Sequence, residues 1–211
     1  FADSSGNQSD LVAWGGTSLP SFTSDSKRGS HAGNFLGDAS AQATRNTGKS
    51  TFSQSMTTGT ILLNFKMDAQ HEYGYSGICG FGQNNTSDSG AWRTFQARGS
   101  TDGSIELRFY TSASHYVQIS SSMSYDHWYH AAASWSGSDG GTLKLYLDGA
   151  LVSTSVETST NLATVNQTLT IGAQSRGGWA YFNGLIDDVK VYDRVLSLSL
   201  IHISEPTRLG F

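Results

Sequence analysis

Charge is scarce in this chain: 14% of its residues are Asp, Glu, Lys or Arg, and 13 basic against 17 acidic side chains leave a formal net charge of -4. That balance lacks the basic stripe that nucleic acid or an anionic membrane surface would require, so neither is expected as a partner. Cysteine occurs once, as Cys79, which excludes an internal disulfide. Its setting in the apolar run 77–81 reads as a small buried hydrophobe rather than a nucleophile. No apolar run reaches the length needed to span a bilayer, so no membrane insertion is expected. No charged segment followed by an apolar one opens the chain, so any secretion signal is expected to lie upstream of Phe1. Helical periodicity is missing too, since no long stretch repeats at 3.6 residues.

What the chain has is glycine, 24 residues of it, with abundant Ser, Thr and aromatics spread over a 211-residue length that suits one large all-β domain. Apolar and polar residues alternate in segments 60–65, 77–81, 92–98, 105–110, 116–119, 128–135, 143–147, 169–171 and 185–192, which read as strands. Turn-forming stretches separate them at 84–90, 101–104, 136–141 and at Asp148-Gly149. Leu143, Leu145 and Leu147 share one face while Lys144 and Tyr146 take the other, and Asp148-Gly149 then turns the chain into 151–156, a hairpin. Many short strands punctuated this way predict a two-sheet antiparallel β-sandwich.

Two motifs are more specific. Trp128, Tyr129, His130 and Ala131, followed by Leu-Lys-Leu-Tyr-Leu-Asp-Gly at 143–149, form a Trp-x-His segment leading to a Tyr-x-Asp-Gly hairpin. Further on, Gly184-Leu185-Ile186-Asp187-Asp188-Val189 leads into an Arg-x-Leu-Ser exit at 194–197. With an opening Asp3-Ser4-Ser5-Gly6-Asn7 and glycines at 29, 33 and 37, these motifs resemble the laminin G-like, concanavalin A-like jelly-roll domains over residues 3–197. The resemblance implies a strand before Phe1 and a turn after Ser197, so that an edge is expected to be exposed where the family's two ends meet.

The tail departs from that pattern. Residues 198–208, Leu-Ser-Leu-Ile-His-Ile-Ser-Glu-Pro-Thr-Arg, resemble the translation of a transposase adapter used in sequencing-library preparation. The domain is accordingly expected over 1–197 and a non-native tail over 198–211, from a bacterial gene recovered by metagenomic sequencing. The plainer alternative is a native edge strand carrying Pro206.

The resemblance also implies a structural calcium ion held by the opening loop and the closing strand, at Asp3, Asn7 and Asp187. The alternative is that Asp3 and Asn7 bond their own turns while Asp187 ties the termini together. Asp187 and Asp188 are adjacent on a strand, so opposite directions are expected for them. His127 and His130 are three apart and should likewise diverge, which disfavours a shared metal and assigns His130 to packing or strand pairing; Trp128 and Trp135 are assigned to packing.

For function, alternation sends Ile105, Leu107 and Phe109 inward and leaves Glu106, Arg108 and Tyr110 on the other face, where Trp92, Gln96, Arg98, Tyr116 and Gln118 join them; Trp179 is a rim candidate. An aromatic ring covers the apolar face of a pyranose while amide and guanidinium groups bond its hydroxyls, so this face suits a glycan. Ordinary amphipathic strands are the alternative. Glycan-cleaving relatives of the fold pair carboxylates on one strand, but Glu106 stands alone with Arg108 as its same-face neighbour. The expectation is a non-catalytic carbohydrate-binding or adhesive module, extracellular or at the cell surface and tethered to other domains, with a glycan or other extracellular ligand. An incomplete glycan-cleaving enzyme and a ligand-free spacer are the alternatives.

Overall fold

The computed structural model describes residues 12–13, 20–37, 44–45, 58–68, 74–82, 92–99, 105–112, 115–136, 141–157, 168–173 and 180–203. Among the described residues, fourteen strands run in chain order: β1 (Val12–Ala13), β2 (Ser21–Thr23), β3 (Ala32–Leu36), β4 (Thr44–Arg45), β5 (Gly59–Met67), β6 (Ser76–Gly82), β7 (Trp92–Gly99), β8 (Ile105–Ser112), β9 (His115–Met123), β10 (Trp128–Ser136), β11 (Gly141–Leu147), β12 (Ala150–Glu157), β13 (Thr168–Ile171) and β14 (Asn183–Tyr192). A short helix, α1 (Leu198–Ile203), follows. The strands form two antiparallel sheets, β1-β4-β13-β6-β7-β8-β9 and β12-β11-β10-β5-β14-β3-β2. The two-sheet sandwich expected from the alternation is therefore present, and each of the nine strand segments read from it falls within one of β5–β11, β13 and β14.

The core between the sheets follows the period of two. On β5 the inward positions are Ile61, Leu63, Phe65 and Met67, on β10 Ala131, Ala133 and Trp135, and on β11 Leu143 and Leu145. The facing sheet contributes Ile78 and Cys79 from β6, Phe95 and Ala97 from β7, Ile105, Leu107 and Phe109 from β8, and Val117 and Ile119 from β9. Phe95 and Phe109 approach to 4.8 Å between ring centroids, and Phe109 stacks on Trp135 at 5.9 Å and 19°. Cys79 is fully buried and that burial pushes its thiol up to about 12, in keeping with a packing role. Gly59 is required by this packing, because a Cβ there would overlap the Trp135 indole.

The β11–β12 hairpin turns on Asp148 and Gly149, both at positive φ (45° and 78°), the left-handed pair that two-residue hairpins favour. Asp148 also fastens this turn to β10: its Oδ1 accepts from the His130 N–H at 2.8 Å and its N–H donates to the His130 carbonyl at 2.8 Å. Trp128 corrects one expectation. It lies half-buried outside the core clusters, and its indole N–H donates to Asp25 Oδ1 at 3.0 Å.

The closing strand β14 is interior, hydrogen-bonded to β3 and β5, and the edges of its sheet are β12 and β2. Its register slips between Asp187 and Lys190, with Asp188 at φ 51°. This bulge overturns the expectation that Asp187 and Asp188 diverge: both meet Arg28, whose N–H donates to Asp187 Oδ2 at 2.7 Å and whose guanidinium reaches Asp188 Oδ2 at 3.4 Å. Lys190 also grips Asp188, at 2.6 Å.

The start of the tail has a place in the fold. Beyond β14 the chain crosses the outer face of its sheet, held by Thr60, whose hydroxyl donates to the Arg194 carbonyl at 2.8 Å and accepts from the Leu196 N–H at 3.0 Å. Leu196 and, from α1, Ile201 then fill an apolar slot made by Leu62, Ala132 and Tyr146, with Tyr192 alongside. Residues 204–211 lie outside the described residues.

Candidate functional site

The outer face of β7, β8 and β9 carries the polar positions singled out in the sequence, and strand register arranges them in three rows. Thr94, Tyr110 and Tyr116 form one row, Gln96, Arg108 and Gln118 the next, and Arg98 with Glu106 the third. Such cross-strand neighbours stand close enough for side chains to meet. Here they do. Arg108 Nη2 pairs with Glu106 Oε2 at 2.8 Å, Arg108 Nη1 donates to the Tyr110 hydroxyl at 3.1 Å, and the guanidinium carbon lies 4.9 Å from the centroid of the Tyr116 ring. Tyr110 and Tyr116 are themselves 4.9 Å apart and tilted by 39°.

Burial is graded across this face. Gln96 is buried, Glu106, Arg108, Tyr110 and Gln118 are half-buried, and Tyr116 and Arg98 are exposed. Burial works against the charge on Arg108, but the bond to Tyr110 and the nearby Glu106 outweigh it and hold the guanidinium above its ordinary range. The result is a cation held by a carboxylate and a phenol hydroxyl, with a second phenol ring against it. β9 is the edge strand of this sheet among the described residues, and Tyr116 is exposed on it. Glu106 is the one carboxylate among the described residues of β6–β9, and it is ion-paired. The described residues of this face therefore do not assemble the two carboxylates of a glycosidase.

Trp92 lies in β7, but its side chain is outside the described residues, as is the whole of Trp179. Six of the expected ligand-binding positions, Gln96, Arg98, Glu106, Arg108, Tyr110 and Tyr116, are thus brought onto one face. Gln118 completes the middle row.

A second polar group lies on the outer face of the other sheet, where His130, Asn64 and Asp187 are register partners across β10, β5 and β14. His130 and Asn64 are each 1% exposed. Burial, reinforced by Arg28 and Lys190 against the opposing carboxylates of Asp148 and Asp188, pushes His130 down to about 4. Burial likewise raises the carboxyl of Asp187, although it accepts the Arg28 N–H. His127 is exposed, with its ring 4.8 Å from that of Tyr129, and does not join His130.

Of the expected calcium ligands, Asp187 alone is described; Asp3 and Asn7 lie outside the described residues. Its Oδ2 faces an N–H donor, an arrangement suited to closing a turn, and no group of three or more His, Cys, Asp or Glu ligands occurs among the described residues. Asp187 on its own does not meet the six to eight oxygens calcium takes. Sequence reading missed Asn64 and Arg28 here, because their approach to Asp187 comes from distant segments with no local signature.

A family model described as the concanavalin A-like lectin/glucanases superfamily matches residues 36–202. The chain belongs to this superfamily. No curated protein matches it significantly in sequence. Among solved structures, this concanavalin A-like domain is similar to domain 4 of AbnA, an extracellular arabinanase from Geobacillus stearothermophilus in complex with arabinotriose (TM-score 0.64, 19% identity, 90% of this chain and 82% of that one). It is also similar to a pentraxin from Limulus polyphemus (TM-score 0.57, 19% identity, 76% and 73%) and to the CBM40 of a Ruminococcus gnavus sialidase bound to sialyllactose (TM-score 0.57, 15% identity, 72% and 84%). At these identities the likeness is one of fold.

Proposed function

We propose that this domain is a non-catalytic glycan-binding module whose ligand lies on the outer face of β7, β8 and β9. The observation that carries the reading is the tyrosine pair over Arg108: Tyr110 and Tyr116 4.9 Å apart, one half-buried and one exposed, beside a guanidinium fixed by Glu106. Exposed Tyr116 offers a sugar ring an apolar platform, and Arg98, Glu106 and Gln118 supply hydrogen-bonding groups around it. The sugar complexes of two structures with the same fold support the ligand class, the arabinotriose complex of the arabinanase domain and the sialyllactose complex of the CBM40. A pair of rings on an ordinary amphipathic strand would not need so many fixed polar neighbours.

The module would work outside the cell or on its surface, tethered to other domains that act on or adhere to the glycan. A structural calcium ion belongs to the same proposal, with Asp187 as the described ligand and Asp3 and Asn7 supplying the opening loop. No described helix is long and apolar enough to cross a membrane.

The test is a glycan array followed by native affinity gels containing the polysaccharides that score. Tyr116→Ala should weaken binding by about tenfold, the value of one aromatic contact, with unfolding unchanged. Undiminished retention of this variant would move the site elsewhere, and depolymerisation of a retained polysaccharide by the wild-type chain would overturn the non-catalytic reading.

A further inference from the structure

Two buried atoms on the face that carries the tyrosine pair have no hydrogen-bond partner among the described residues: Arg108 Nε, which can only donate, and Gln118 Oε1, which can only accept. They belong to side chains that leave the same face side by side, because Arg108 and Gln118 are register partners across β8 and β9. Both terminal nitrogens of the guanidinium are already engaged, one with Tyr110 and one with Glu106. The guanidinium is covered by Tyr116, whose ring lies 4.9 Å from its carbon although the residue is 37% exposed.

A buried donor and a buried acceptor without partners, on side chains paired across two strands, are penalised by folding and call for an explanation in function. One small group satisfies both at once: a hydroxyl, which accepts from the Nε–H and donates to Oε1. Building on the glycan-binding reading above, we propose that Arg108 Nε and Gln118 Oε1 are a hydroxyl-reading pair that selects the sugar, with Tyr116 as a movable cover. Tyr116 sits on an edge strand, so its ring can swing aside without displacing a neighbouring strand, a motion open to exposed side chains on fast timescales. The swing uncovers the pair while the ring comes to lie against the sugar, so stacking and hydroxyl recognition are coupled. A sugar lacking a hydroxyl at the matching carbon would leave both atoms open and be rejected, the asymmetry that makes buried polar groups strong discriminators.

The decisive variant is Gln118→Met, which keeps the length of the side chain and removes the acceptor. It is compared with the full wild-type chain in native affinity gels containing soluble arabinan, xylan, β-glucan or sialylated mucin, and in thermal unfolding without ligand. Retention by the polysaccharide that retards the wild type should fall about tenfold or more, while Tm holds or rises by about 2–4 °C because a buried open acceptor is gone. Gln118→Glu should behave in the same way, since its carboxylate takes the Arg108 Nε–H and leaves nothing for a sugar. A lowered Tm in both variants would assign Gln118 a structural role, such as holding a buried water, and would overturn the proposal. Unchanged retention in both variants, with the wild type retarded, would overturn the hydroxyl-reading pair and leave the glycan-binding reading standing. A wild type retarded by none of the four would overturn the two together.

Discussion

His130 sits almost wholly buried on the outer face of the second sheet, and its titration is set by that burial. An unfolded histidine takes up a proton near pH 6.5, whereas the folded one holds out to about 4. Between those values the unfolded chain binds more protons than the folded one, so stability is full above pH 6.5 and falls as the solution is acidified toward pH 4. The span corresponds to roughly 3 kcal/mol. Denaturant unfolding at pH 7, 6 and 5 should show this decline, and His130→Gln should flatten it. Asp187, whose carboxyl burial raises, acts with the opposite sign in the carboxylate range, so the histidine contribution is cleanest above pH 5. The sequence assigned His130 to packing or pairing, and its backbone bonds to Asp148 agree. Its burial beside Asn64 on the outer face was not legible, because alternation alone does not say what lies on top of a strand.

At the scale of the element, β14 holds the most constrained geometry. Gly184 adopts φ 144°, and a Cβ there would overlap the Lys66 carbonyl oxygen on the neighbouring β5 and stand 3.0 Å from the Met67 Cα. Gly184→Ala should therefore destabilise by about 3 kcal/mol, measured as a fall in the denaturant midpoint at constant slope. Three residues farther along, the bulge turns both aspartates onto Arg28. Asp187→Ala removes the acceptor that holds the Arg28 N–H and should cost about 1–2 kcal/mol in the absence of calcium. If the proposed ion is present, excess calcium raises the Tm of the wild type but not of this variant; identical curves with calcium and with chelator would remove the ion from the proposal. Strict alternation predicted divergent aspartates because a bulge inserts its extra residue without a reliable sequence mark.

For the whole molecule, the two sheets do not finish the fold; the chain after β14 does. Ile201 is fully buried in the slot between Leu62, Ala132 and Tyr146, and His202 lies against Gly149, where a Cβ would meet its ring. Ile201→Ala should lower stability by about 2–4 kcal/mol, the range for emptying a packed aliphatic site, and calorimetry of the full chain would register it. The all-β class, the two faces of β7, β8, β9 and β11 and the Asp148-Gly149 hairpin were legible in the sequence alone, because each rests on a period of two or on a turn that only certain residues allow. The sequence also placed Gln96, Arg98, Glu106, Arg108, Tyr110 and Tyr116 on one face by parity. Which of these touch was decided only by the tertiary structure, since register between β8 and β9 puts Arg108 under Tyr116 and beside Gln118. The same holds for Arg28 on Asp187 and for Ile201 in its slot: contacts between residues so distant in sequence depend on how the sheets are ordered, and no local pattern carries that order.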